Sequence, residues 1–228
     1  MFFVAAPEPK PNDEESGIVT VYIRGAIEHH DEGSGGDSYD QIRERAAQAF
    51  EDGRAVVLRI DSPGGVVSGL NECVRELQRM RAEYRKPLVA FADEMATSAA
   101  YALCCACDEV FLPRSAIVGS IGVISTMVSC VEADKKDGLA FAILTSGERK
   151  ADGHPHAEIS DSAIAAEQSR VDDLARQFWK IASKARGLSV GTIRGYQCGL
   201  FMGRKAERAG LADGVMGCVE LYEALAMA

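Results

Sequence analysis

The sequence predicts an α/β fold with a parallel sheet core flanked by helices, and two observations carry that expectation. Apolar, β-branched runs alternate with stretches of helical periodicity between residues 18 and 92, in the order strand, helix, strand, helix, strand. That rhythm means right-handed crossovers between parallel strands, with helices on both faces of the sheet. The bulk numbers agree. A chain of 228 residues, 47% hydrophobic and 26% charged, has room for one α/β domain with a sizeable core.

In chain order, residues 1–17 are expected to form a flexible arm, Pro- and acid-rich from residue 7 onward. Ile18-Val19-Thr20-Val21-Tyr22-Ile23 reads as the first strand, followed by a Gly-rich acidic loop from Glu28 to Asp37. His29 and His30 in that loop have no nearby Cys or third His, so solvation rather than metal binding is expected. Tyr39 to Phe50 has helical spacing, with Ile42, Ala46 and Phe50 on one face. The strand Ala55–Ile60 leads into Asp61-Ser62-Pro63-Gly64-Gly65. A helix from about Ser68 to Tyr84 presents Leu70, Val74, Leu77 and Met80, and Lys86-Pro87 feeds the strand Leu88–Ala92. After Ser98 comes an Ala-rich helical run. Glu109–Leu112, the Gly-punctuated segment Ala116–Val123 and Leu139–Thr145 read as further strands or extended pieces. The polar loop Ser146–Gly153 precedes a long helix, about Asp161 to Arg186, with an apolar stripe of Ile164, Val171, Leu174, Phe178 and Ile181. No repeat or linker splits the chain, so residues 18–228 are expected to be one domain with 161–228 as its C-terminal helical part.

The formal charge of −9 argues against nucleic acid or an anionic membrane as the main partner. No apolar run reaches the roughly 18 residues of a membrane span, and Met1–Pro7 is too short and lacks the basic flank of a signal peptide. Seven Cys residues show no disulfide-framework spacing. Cys104, Cys105 and Cys107 lack a second C-x-x-C pair for zinc, and read as small residues packing a buried helix. A cytoplasmic chain with reduced thiols is expected.

Two stretches carry chemistry. Ser98 follows a strand and opens a helix, which points its hydroxyl off the sheet at a helix N-terminus with free backbone N–H groups. Gly64-Gly65 after Pro63 permits positive φ and close approach of backbone to a ligand. Together they suggest a nucleophile and a backbone oxyanion hole. A serine needs a base, either His or a desolvated Lys. All four His lie in polar loops, two of them (His154 and His156) shortly after Lys150. Lys150, at a strand end between Gly147 and Gly153, is the other candidate.

Ser62-Pro63-Gly64-Gly65, Thr97-Ser98-Ala99-Ala100-Tyr101, Gly119-Ser120-Ile121-Gly122-Val123 and Ser146-Gly147-Glu148-Arg149-Lys150-Ala151-Asp152-Gly153 follow one another in the order and spacing of the signal peptide peptidase A family. These are serine–lysine peptidases on a fold related to Clp protease and crotonase, and the resemblance runs from about Ile18 to the tail. The pattern at Lys150 to Pro155, with Gly187-Leu188-Ser189, is similar to the short prohead (capsid-maturation) proteases of tailed bacteriophages. The resemblance implies Ser98 as nucleophile, Lys150 as general base and Ser120 as the residue orienting the lysine. Backbone N–H groups of Gly65, Gly64 and Ala99 would form the oxyanion hole. Ala99-Ala100 stand where many members have Gly-Gly, which bears on substrate approach. Val123 stands about where Clp protease has its His, which disfavours a Ser-His-Asp variant. No metal or cofactor is implied. The implied partners are a protein substrate, phage capsid or scaffold proteins among the candidates, and further copies of the chain in a ring with Lys150 acting across subunits. The competing expectations are a cellular signal-peptide-degrading peptidase of the same family, a crotonase-like acyl-CoA enzyme, and a silent ring-forming assembly protein.

Overall fold

The computed structural model describes residues 12–13, 17–31, 33 and 35–228. Most of the arm expected over residues 1–17 lies outside the described residues. β1 (Asn12–Asp13) pairs antiparallel with β2 (Ile18–Arg24). α1 (Tyr39–Asp52) starts at a capping box. Ser38 Oγ accepts the Gln41 amide, and the Gln41 side chain accepts the Ser38 amide. β3 (Ala55–Ser62), α2 (Leu70–Tyr84), β4 (Leu88–Thr97) and α3 (Ala99–Cys104) follow. Next come β5 (Glu109–Leu112), β6 (Ile117–Gly119), α4 (Val131–Lys136) and α5 (Asp161–Arg186). The chain ends with α6 (Val190–Gly195), β7 (Leu200–Met202), α7 (Arg204–Arg208), β8 (Gly214–Val215) and α8 (Cys218–Met227). The stretch expected to be helical after residue 161 therefore also supplies two short strands.

The sheet runs β1-β2-β3-β4-β5-β8, and β6 pairs with β4 and then with β7. Only the β1 and β7 pairings are antiparallel. The α/β architecture expected from the sequence is the one the chain adopts. β4 is ten residues long and has two neighbours in succession. Its first half pairs with β5 through Val89–Phe91, and its last residues, Met95–Thr97, pair with β6 at Ile117–Gly119. The change of partner sets Thr97 opposite Gly119.

The chain forms two compact units, one of Met1–Gly122 with Phe178–Ala228 and one of Val123–Gln177. The first holds the sheet and its core. One face of the sheet packs Ile42, Ala46 and Phe50 of α1 and Leu70, Val74, Leu77 and Met80 of α2, the positions expected from the spacing. The other packs Ile18, Val57, Val89 and Phe91 with Leu221 of α8. Each such burial contributes on the order of 1.5–3 kcal/mol before entropy is counted. Cys104, Cys105 and Cys107 are buried in the first core, and burial pushes the Cys105 thiol up to about 12. They are packing residues, as expected.

Within Val123–Gln177 only Ala163 and Ala175 are buried. Leu139–Thr145, read from the sequence as a strand, has no regular secondary structure and belongs to no sheet. A strand needs a hydrogen-bonding neighbour along its edge, and this unit contains helix and turns but no second strand. The apolar stripe of α5 divides accordingly: Phe178 is 5% exposed and Ile164 is 51% exposed.

Candidate active site

β4 and β6 are parallel neighbours, and each is followed by a serine with φ of +53°. Ser98 (φ +53°, ψ −126°) stands between β4 and α3. A non-glycine residue held there is strained by roughly 1–3 kcal/mol, and such strain gathers at functional sites. A sharp strand-to-helix turn of this kind lifts a nucleophile off the end of a sheet. Ser98 N donates to Gly119 O at 2.9 Å, so Ser98 and Ser120 come to the same sheet edge. Ser120 is fixed in turn by its amide, which donates to Gly199 O at 3.0 Å. Tyr101, one turn into α3, is fully buried and its hydroxyl donates to Leu211 O at 2.9 Å, which anchors the helix behind Ser98.

The Pro63–Val66 loop lies directly against this turn. Gly64 has φ of +105°, and a Cβ there would fall 2.7 Å from Ser98 Cβ and 2.9 Å from Ala99 N. Only glycine lets the two backbones meet. Gly65 is as tightly placed on its other side, where a Cβ would lie 1.9 Å from Ile27 O. The loop's hydrogen bonds are mostly spent within the protein. Ile27 N donates to Gly64 O at 2.9 Å, and Val66 N donates to Ile27 O at 2.9 Å. Gly64 N donates to Ser62 Oγ at 3.1 Å. Among the described residues, the Gly65 and Ala99 amides meet no acceptor. Of the three amides the sequence offered as candidates, those of Gly65 and Ala99 are thus left without an acceptor, while the Gly64 amide is engaged by Ser62.

Lys150 belongs to the Val123–Gln177 unit, where it is exposed. It sits in a chain of tight turns: Lys150 N donates to Gly147 O, Asp152 N to Arg149 O and His154 N to Ala151 O, at 3.0–3.2 Å. Arg149 and Asp152 pair across it at 3.0 Å. Downstream, Cys130 N donates to Pro155 O and Ser129 Oγ to Ala157 O, which ties the turns to the start of α4. The histidines have their own contacts: His29 with Ser68, His30 with Asp40 and His156 with Asp134. Among the described residues no group of His, Cys, Asp and Glu is arranged to hold a metal. No helix of the described residues is long and apolar enough to cross a membrane.

Sequence reasoning passed over three side chains that shape the loop: Ser62, Thr97 and Tyr39. Their signal was present but weak. A Thr as the last residue of an apolar strand is a buried hydroxyl that needs a partner, and the sequence does not say which.

Comparison with known proteins bears on the fold and the family. A solved structure of a ClpP1 point mutant from Listeria monocytogenes superposes with a TM-score of 0.58 at 12% identity, covering 92% of this chain and 96% of that one. It shows the same fold. The head-tail preconnector protein GP5 of Enterobacteria phage P21 is 31% identical over 93% of this chain and 43% of its own length. Capsid assembly protease C of Escherichia phage lambda is 33% identical over 79% of this chain and 41% of its own. The chain thus spans about two fifths of the length of these curated relatives. The family model described as Peptidase family S49 matches residues 81–228, from the end of α2 through Ser98, Ser120 and Lys150 to the last residue. The chain belongs to peptidase family S49.

Proposed function

We propose that this chain is a serine endopeptidase of the capsid-maturation type, with Ser98 as nucleophile and Lys150 as general base. The observation that carries the reading is the strained Ser98 turn with the Gly64 backbone packed on it and two amides, Gly65 and Ala99, unclaimed beside it. The neutral amine of Lys150 takes the Ser98 proton as Oγ attacks the scissile carbonyl, and the developing oxyanion is received by Gly65 and Ala99. Each such donor is typically worth about 3–4 kcal/mol of barrier. The amine then protonates the leaving amino group and activates the water that clears the acyl-enzyme. Ser120 accepts or donates a hydrogen bond at the amine and orients it. The names of the phage P21 and lambda relatives support a capsid or scaffold protein as substrate.

An amine base must be neutral, which requires removal from water, and Lys150 is exposed in the single chain. A second copy that covers it supplies the missing desolvation. The Val123–Gln177 unit suits that role, having two buried residues of its own and Ile124, Leu139, Phe141, Leu144 and Ile164 exposed. The assembly is then a homo-oligomeric ring in which Lys150 serves a neighbour's Ser98. Mixing Ser98→Ala and Lys150→Ala proteins tests this. Each is inactive alone on labelled casein, and subunit exchange restores part of the activity. Failure to recover activity after demonstrated exchange removes the shared site, and activity in Ser98→Ala alone removes the nucleophile.

A further inference from the structure

Four side chains in the described residues are both polar and buried: Ser38, Arg59, Ser62 and Thr97. Two of these, Ser62 and Thr97, spend their hydroxyls on the loop that faces Ser98. Thr97 Oγ1 donates to Pro63 O at 3.0 Å, and Ser62 Oγ holds Gly64 N at 3.1 Å. Tyr39, whose ring is fully buried, reaches the far end of the same loop and donates to Val66 O at 2.7 Å. Burial pushes the Tyr39 phenol up, so it remains a donor throughout the working pH range. With Ile27 on Gly64 O and Val66 N, the backbone groups on either side of Gly65 are fixed from the protein side, and the Gly65 N–H is the loop amide left without an acceptor.

Resting on the reading of Ser98 as nucleophile, we infer that Thr97 is a positioning residue for the oxyanion hole, with Tyr39 holding the loop's other end. Thr97 is the residue next to the nucleophile, so its bond to Pro63 fixes the Gly65 amide relative to Ser98 Oγ through one side chain. Buried hydroxyls are kept only where a bond compensates their desolvation. Here the bonds converge on one four-residue loop whose geometry the chemistry depends on. A donor aimed at the oxyanion acts only if it is in place before the charge forms. Thr97→Val keeps the shape and removes the donor, leaving Pro63 O without its partner and the loop free to shift.

The test uses the full-length, assembled protein with labelled casein and a fluorophosphonate probe. Thr97→Val should lower kcat by about tenfold to a hundredfold, the cost of a misplacement near 1 Å. KM and the midpoint of the pH–rate profile should stay unchanged, because neither substrate binding nor Lys150 is touched. Fluorophosphonate labelling should slow in parallel. Thr97→Ser, which keeps the hydroxyl, should restore kcat, and Tyr39→Phe should reduce it at unchanged KM. Wild-type kcat in Thr97→Val, with Ser98→Ala inactive, overturns the inference and leaves the nucleophile standing. A loss that Thr97→Ser fails to recover also overturns it, since shape rather than the hydroxyl would then matter. If Thr97→Val does not fold, Tyr39→Phe decides: full kcat overturns the inference and a reduced one supports it. Activity in Ser98→Ala overturns the reading underneath instead.

Discussion

At the scale of single residues, the proposed mechanism depends on one absent side chain and one amine. A Cβ on Gly64 would fall 2.7–2.9 Å from Ser98 Cβ, Thr97 O and Ala99 N, closer than a methyl can sit, and the φ of Gly64 is +105°. Gly64→Ala should therefore abolish fluorophosphonate labelling and destabilise the fold by about 1–3 kcal/mol, read as a lower denaturation midpoint. Wild-type labelling in the Gly64→Ala protein would contradict the close packing of loop on nucleophile. Lys150→Met keeps the length of the side chain and removes its basicity. Proteolysis should fall by about 10²–10⁴-fold, the usual contribution of general base catalysis, with assembly unchanged in sedimentation. The Ser98 turn and the Gly64-Gly65 loop were legible in the sequence, and the order of the motifs marks Lys150 as the candidate base. The commitment of the Gly64 amide to Ser62 was not legible, since a hydrogen bond between residues two apart depends on the φ of the loop.

At the scale of elements, the long periodic helices and strands were legible in the sequence, while the short helices α4, α6 and α7 were not. α1, α2, β3 and the long α5 appear where periodicity puts them. The misreading is Leu139–Thr145, where an apolar, β-branched run meets no partner strand. Local composition carries strand propensity, but pairing is decided elsewhere in the fold. The short β7 and β8 were missed for the opposite reason: three- and two-residue strands have too few side chains to show a period, and they form because a neighbour is waiting. Beside the backbone ladder of β5 and β8 stands an ion pair that sequence reading cannot pair up. Arg186, at the end of α5, makes two bonds to Asp213 at 2.7 and 2.9 Å and one to Gly210 O, while Asp213 also accepts the Val110 amide. The Arg186 side chain is 8% exposed. Arg186→Ala would remove the buried guanidinium and its bonds to Asp213 and Gly210 O, a loss of about 1.5–3 kcal/mol. The expected readout is a melting temperature lower by roughly 3–10 °C. A change within experimental error would mean the pair is replaced by water at no cost.

At the scale of the whole molecule, the two units differ in how they meet the requirement for a core. The sheet-bearing unit buries both faces of its sheet, whereas Val123–Gln177 leaves Ile124 at 89% and Leu144 at 93% exposed. Side chains that exposed contribute almost nothing to the stability of the isolated chain. Substituting them should change its folding free energy by no more than about 0.5 kcal/mol. In an assembly the expectation reverses, because a stable interface covers about 800 Å² on each partner and places apolar side chains at its centre. Leu144→Asp and Ile124→Asp separate the two situations. If these residues are covered by a second copy, each variant should sediment as a smaller species and lose proteolysis, because Lys150 then stays hydrated and charged. The melting of the sheet-bearing unit should be unaltered, and Ser98 should keep its strained turn. Variants that remain assembled and fully active would show that the apolar surface of this unit has no part in the enzyme. Loss of activity without loss of assembly would place Leu144 and Ile124 at the substrate rather than at the neighbouring copy.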